Sequence, residues 1–229
     1  MLQSASKRRL AHLAVAVAGV LAFGWAAERF DYRVRQDFFV GFAGDQAAFE
    51  RGMKACEETL KENPKHAEAL VWHGAGRFFL SGRSFQSGDV NKGMELWQSG
   101  LKEMETAVSL EPDNLGVRIP RGAALIQASL SVPPAQAKAI LETGVADFER
   151  VLELQRPYFA QIGTHPRGEL LQGLAGGWYR LGDQEKARGY FERIVNALPG
   201  TEYEKRAKTW LETKTLENSQ MRCVGCHVK

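Results

Sequence analysis

The residues of this chain best suited to chemistry stand together in its last nine positions. The sequence there reads Met221-Arg-Cys223-Val-Gly-Cys226-His227-Val-Lys229, with two thiols three positions apart and an imidazole directly after the second. Two thiols at this spacing can exchange with a disulfide, and together with the imidazole they can supply three ligands to zinc. A redox dithiol usually belongs to a strand-and-helix unit, and zinc needs a fourth ligand from elsewhere. Both interpretations stay open.

The same motif, Cys-x-x-Cys-His, resembles the covalent haem attachment site of c-type cytochromes. The resemblance implies one haem c, joined by thioether bonds to Cys223 and Cys226, with His227 as the proximal ligand of its iron. A cytochrome c buries its haem in helices that follow the motif, whereas only Val228 and Lys229 follow here. Such a haem would therefore lie against the rest of the chain, against a partner, or in water.

An apolar run at 10–27 follows the basic cluster 7–9 and is interrupted only by His12. As a helix it would span about 27 Å, close to the hydrocarbon core of a bilayer. The basic flank predicts an N-terminus in the cytoplasm and a body in the periplasm, anchored in a bacterial-type inner membrane. Trp25 and the charges that follow the run favour an uncleaved anchor over a signal peptide, which would release the protein into the periplasm.

The body of the chain is predicted to be all-α. Apolar residues recur with a helical period from Asp45 onward, and no stretch of alternating β-branched residues occurs. The segment 169–199 is the clearest: two apolar helix faces flank a turn at Gly182-Asp183, and Pro199 closes the second helix. The apolar residues of these faces are Leu171, Leu174, Ala175, Trp178, Ala187, Phe191 and Ile194.

This segment resembles the tetratricopeptide repeat, a 34-residue pair of antiparallel helices. The resemblance implies helix pairs stacked into a right-handed superhelix, with a concave groove that binds a protein partner. Glycines at 52, 100 and 144 fall at matching positions of the second helices, where they would let paired helices approach closely. Cys56 occupies a large apolar position of such a helix and is predicted to be a core residue.

The predicted organisation has four parts. Residues 1–30 form a signal anchor or signal peptide, 31–44 a juxtamembrane linker, 45–217 the repeat domain and 218–229 a flexible tail with the cysteine motif. Within the repeat domain we predict a half unit at 45–64, full units at 65–112, 113–157 and 166–199, and a capping helix at 201–217. The unit at 65–112 is longer than the others, and we assign its excess to a loop at 81–88.

A distal haem ligand would come from a histidine or methionine of the repeat domain. The candidates are His66, His73, His165, Met94 and Met104. We predict His165, in Gly-Thr-His-Pro-Arg, because an imidazole on a turn can reach a groove; the alternative is a solvated turn histidine. His73 stands where the repeat usually has leucine, which favours a hydrogen-bonded role between helices.

Charge and motif content exclude several functions. The chain has 229 residues, with 30 Lys and Arg against 27 Asp and Glu, and its cations cluster only at 7–9, so nucleic acid is not an expected partner. No Ser-His-Asp constellation, phosphate loop or pair of catalytic carboxylates is recognisable, so catalysis is not indicated. Arg118, Arg121 and Arg167 would line a groove for an acidic ligand or haem propionates, or be ion-paired.

We therefore expect a membrane-anchored or exported repeat scaffold that binds a protein of a redox or envelope complex. Its single covalent haem would serve electron transfer. The alternative is a protein-interaction module of the cell envelope without haem, whose C-terminal cysteines bind metal or form a disulfide.

Overall fold

The computed structural model describes residues 29–132 and 134–216, apart from the side chain of Ala135. This part of the chain consists of nine α-helices, contains no β-strand, and confirms the all-α prediction. The helices are α1 (Phe30–Phe42), α2 (Gln46–Glu62), α3 (Ala67–Gln86), α4 (Val90–Leu110), α5 (Leu115–Ala128), α6 (Pro134–Gln155), α7 (Thr164–Arg180), α8 (Gln184–Ala197) and α9 (Glu202–Thr213). A short 3-10 helix, Arg156–Gln161, follows α6. None of these nine helices is long and apolar enough to cross a membrane. The predicted membrane segment at 10–27 lies outside the described residues.

Consecutive helices pack as antiparallel pairs. The pairs are α1 with α2, α3 with α4, α5 with α6 and α7 with α8, and α9 packs on α8. Each odd-numbered helix from α1 to α5 also contacts the next odd-numbered helix, so that α1, α3, α5 and α7 form one layer of the stack. The predicted succession of helix pairs is therefore present, whereas the right-handed superhelix stays a prediction.

The array begins earlier than the sequence indicates. The predicted linker at 31–44 is helical over Phe30–Phe42, and this helix completes the unit that α2 was expected to leave as a half. Val34 and Phe38 are fully buried at helical spacing, and the Phe38 ring stacks on Trp72 at a centroid distance of 5.1 Å. Because α1 has one apolar face directed at α2 and α3, it belongs to the core.

The predicted loop at 81–88 is wrong, because α3 continues through most of it. Ser81 is buried, and its hydroxyl donates a hydrogen bond to the carbonyl oxygen of Phe78 at 2.6 Å. The Phe85 ring packs over Gly93 of α4. The turn is confined to a few residues before Asp89, whose carboxylate caps α4. The additional residues of this unit therefore lengthen two helices, which have 20 and 21 residues.

Two glycine pairs allow close approaches between helices. A β-carbon on Gly100 would lie 2.7 Å from the carbonyl oxygen of Gly74, and a β-carbon on Gly144 would lie 3.0 Å from that of Gly122. Both distances are too short for a side chain. The same contact thus recurs between α3 and α4 and between α5 and α6, which confirms the role predicted for Gly100 and Gly144. A β-carbon on Gly52 would instead meet the ring of Phe38.

The hydrophobic core has two parts that meet in α6. Ile140 packs with the residues of α1 to α5, whereas Leu141, Val145 and Phe148 pack with those of α7 to α9. Cys56 is fully buried in the first part, as predicted, and burial raises the pKa of its thiol. α6 is therefore the one helix of the described array whose buried residues contribute to both parts.

Candidate functional site

The three residues of the haem motif, Cys223, Cys226 and His227, lie outside the described residues, and their chemistry stays a prediction. The structure does describe Lys214 and Leu216, which precede the motif in the chain. Lys214 takes a left-handed conformation, φ 56°, and its carbonyl accepts a hydrogen bond from the Tyr179 hydroxyl at 3.0 Å. Leu216 then packs near Gly176. The described part of the chain therefore ends against the C-terminal half of α7.

His165, the predicted distal ligand, is exposed in the first turn of α7. Its Nδ1 lies 2.9 Å from the Tyr203 hydroxyl oxygen, and Tyr203 donates its proton to Glu169 Oε1 at 2.6 Å. The Tyr203 hydroxyl therefore bridges the His165 ring and the Glu169 carboxylate, and ties the first turn of α7 to α9. The structure does not bring His165 to the start of the tail, since the helical rise from His165 to Gly176 is about 16 Å.

The other candidate ligands have structural roles or stand apart. His73 Nδ1 lies 2.7 Å from Glu103 Oε2, which joins α3 to α4 as the interhelical interpretation predicts. His66 caps α3, Met104 is buried, and Met94 is exposed on α4. Among the described residues, no three His, Cys, Asp or Glu side chains converge in a way that could hold a metal ion.

Two of the three predicted groove arginines are ion-paired inside the array. Asp147 of α6 is fully buried and accepts from Arg118 Nη1 at 2.6 Å and from Arg121 Nε and Nη2 at 2.6 and 2.7 Å. Arg167 reaches the carbonyl of Ala197 at 3.4 Å. Arg118 and Arg121 therefore tie α5 to α6, as the ion-paired alternative predicts.

A different arginine, Arg180, stands at the last turn of α7 with only neutral partners among its hydrogen bonds. Its Nη2 donates to Ser129 Oγ at 2.6 Å and its Nη1 to the carbonyl of Ile126 at 3.3 Å. Burial lowers the pKa of this guanidinium, and no carboxylate of the described residues opposes the effect. Among the residues that the structure describes, Arg180 is thus a half-buried cation without a counter-charge.

Arg180 faces a cleft between α6 and α7 with a volume of about 390 Å³. Val132, Leu141 and Leu181 give it apolar walls, and Lys138 adds a second cation. Sequence reasoning missed this site because a basic residue in the last turn of a helix is ordinary there, where it interacts with the helix dipole. Only the fold shows that no acidic side chain from 29–132 or 134–216 pairs with Arg180.

Comparison with known proteins gives few matches. No family model matches the chain, and no curated protein matches it. Among solved structures, it is similar to the crystal structure of a thermophilic TPR protein from Thermus thermophilus, with 17% sequence identity over 80% of this chain and 99% of that one. The TM-score of 0.36 is too low to assign a common fold, so the class of the present protein rests on its own helix packing. That class is an all-α array of antiparallel helix pairs.

Proposed function

We propose that the protein is a membrane-anchored or exported repeat scaffold that binds a protein partner and carries one covalent haem on its C-terminal tail for electron transfer. The observation that carries the proposal is the spacing of Cys223, Cys226 and His227. Two thiols three positions apart can both attach to one porphyrin, and the adjacent imidazole is then held beneath the iron. When bound, haem supplies a one-electron couple.

The array offers a surface that suits what a haem would need from it. A haem has an apolar body and two carboxylates, so it fits a surface that combines apolar walls with an unpaired cation. The Arg180 cleft has both, with Val132, Leu141 and Leu181 as walls. The chain therefore holds suitable chemistry close to the point where the tail starts.

Partner recognition is assigned to the helix pairs. The array holds its helices at fixed spacing through glycine contacts, ion pairs and two connected parts of a core. Stacked helix pairs present extended surfaces of the kind that bind peptides or extended segments.

Residues 10–27 supply the proposed anchor. Their apolar length and the basic cluster at 7–9 favour a body, and with it a cysteine motif, on the outer side of the membrane. Alkaline extraction of membranes followed by N-terminal sequencing tests this placement. A soluble product that begins near Ala27 would replace the anchor with a cleaved signal peptide.

The haem proposal is tested by intact mass and a pyridine haemochrome spectrum of the full chain, produced in a host that matures c-type cytochromes. We expect the mass of one haem, lost in the double variant Cys223→Ser/Cys226→Ser. Cys56→Ser is the matched control, because it removes a buried thiol and should keep the haem. An unmodified mass would refute haem attachment, and bound zinc or a disulfide between Cys223 and Cys226 would then support the module without haem.

The division of roles is tested by deleting residues 218–229. This deletion should remove the haem signal and leave helical content, thermal unfolding and capture of the native partner nearly unchanged. If it abolished partner capture instead, the tail would be the recognition element and the array a spacer.

A further inference from the structure

We propose that the cleft between α6 and α7 binds a propionate of the tail's haem, with Arg180 as the ionic partner of the carboxylate and Lys138 as a second cation at the rim. This inference rests on the proposed function and adds to it the seat of the haem on the array. It also replaces the groove arginines expected from the sequence, since Arg118 and Arg121 are already occupied by Asp147.

The charge of the Arg180 guanidinium favours a carboxylate in this cleft. A half-buried arginine without a carboxylate is held at an energetic disadvantage, because burial penalises its charge and its neutral partners compensate only in part. Arg180 donates to one hydroxyl and one carbonyl, Ser129 Oγ and the carbonyl of Ile126. A carboxylate entering the cleft would supply a counter-charge that no described residue provides, and the fork of a guanidinium matches a carboxylate in geometry.

The residues that line the cleft around Arg180 also suit a haem. Val132, Leu141 and Leu181 offer an apolar wall, and the volume of about 390 Å³ lies within the range of small-molecule and cofactor sites. Lys138 is 72% exposed, and its carboxylate neighbour Glu142 lies 3.9 Å away. Lys138 can therefore turn toward a second anion without breaking a close ion pair.

The chain from Leu216 to Cys223 is long enough to bring the haem to the cleft. Leu216 packs near Gly176, which stands one helical turn before Arg180 on the same side of α7. The rise over that turn is about 6 Å. The seven residues from Leu216 to Cys223 can extend over about 24 Å, so the chain between them easily spans the distance to the cleft.

This seat excludes His165 as the distal ligand. The helical rise from His165 to Arg180 is about 22 Å, and the Arg180 side chain points away toward Ser129 of the loop after α5. His165→Ala should therefore leave the absorption spectrum of the haem protein unchanged. A spectral change of the kind that follows loss of an axial ligand would place the haem at the other end of α7 and overturn the proposal.

The test compares Lys138→Gln with Lys54→Gln in the full chain carrying its haem. Lys54 is the matched control because it is 75% exposed and lies 3.8 Å from Glu58 four residues later, the same arrangement as Lys138 with Glu142. Loss of a cation beside a haem favours the oxidised iron, so Lys138→Gln should lower the midpoint potential, whereas Lys54→Gln should not. Arg180→Gln should lower it further.

Proteolysis gives an independent readout. Cleavage after Glu217 by a glutamate-specific protease releases the haem peptide, and the seated tail should resist it. Loss of a charge-assisted hydrogen bond in Arg180→Gln should speed this cleavage about tenfold. In the double variant without haem, Cys223→Ser/Cys226→Ser, cleavage should already be fast and should not respond to Arg180→Gln. Circular dichroism checks that each variant stays folded. If Arg180→Gln does not fold, the comparison of Lys138→Gln with Lys54→Gln still tests the proposal.

The outcomes separate the two proposals. Haem that is present by mass, with potential and cleavage unaltered in Lys138→Gln and in folded Arg180→Gln, overturns the seat and leaves the proposed function standing. Equal shifts in Lys54→Gln and Lys138→Gln overturn the seat as well. Absence of haem overturns both.

Discussion

Replacing Asp147 with asparagine should destabilise the array strongly. Asp147 is 0% exposed, and its two partners Arg118 and Arg121 have side chains only 16% and 12% exposed. The amide cannot balance two guanidinium groups, so both cations would stay buried without a counter-charge. Breaking a buried ion pair from one side costs about 3–5 kcal/mol. For a chain of this size that corresponds to a fall in melting temperature on the order of 10 °C.

The matched control is Asp113→Asn, which removes a carboxylate of similar geometry from the surface. Asp113 accepts from Arg150 Nε at 2.8 Å and from Nη2 at 2.9 Å, but water surrounds the pair. Exposed ion pairs contribute little, so this variant should unfold close to wild type. Urea unfolding followed by circular dichroism measures both. If the two variants unfolded at the same urea concentration, burial would not be what makes Asp147 important.

Four further substitutions test the packing and the charges of the array. Trp210→Ala removes a ring that is 1% exposed and should cost about 3–5 kcal/mol by calorimetry, whereas Trp178→Ala removes a half-buried ring and should cost less. Gly100→Ala adds a β-carbon 2.7 Å from the carbonyl oxygen of Gly74. The cost of this overlap should exceed the gain in helix propensity, so the free energy of unfolding in urea should fall by about 1–3 kcal/mol. Burial raises the pKa of Glu103, but hydrogen bonds and charge from a histidine and an arginine outweigh it and leave the pKa below its ordinary range. Its ionised form therefore stabilises the fold above the ordinary pKa of about 4.3, and this contribution is lost as the pH falls through the lowered pKa. In urea titrations, the stability difference between wild type and Glu103→Gln should accordingly shrink as the pH falls below that ordinary pKa.

The sequence predicted helix type and pairing where the signal is local. Gly100 and Gly144 were identified because close helix contacts recur at a fixed register, and the structure confirms both. The excess length of the unit at 65–112 predicts a loop at 81–88, but α3 continues to Gln86, where Phe85 packs on Gly93 of α4. Helix α1 was assigned to a linker, although Val34 and Phe38 show helical spacing, because its aromatic residues follow closely on the apolar run at 10–27.

The candidate site was predictable only in part, since charge pairing depends on contacts far apart in sequence. Arg118 and Arg121 meet Asp147 at sequence separations of 29 and 26 residues, and no local pattern signals that meeting. The importance of Arg180 depends on which acidic groups are missing from its surroundings, which a linear sequence does not show. The cysteine motif, in contrast, is defined by spacing alone and was visible at once.

The placement of α6 in both parts of the core has a mechanical consequence. Tension between the first and last helices passes in large part through α6, because Ile140 belongs to the core on one side and Leu141 to the core on the other, while α5 and α7 share only a smaller contact. Unfolding of either part of the core exposes one apolar face of α6 to water, and the other part then loses packing along that helix. A protein stretched between its two ends in a force measurement should therefore yield first beside α6, and the half that yields should weaken the half that remains.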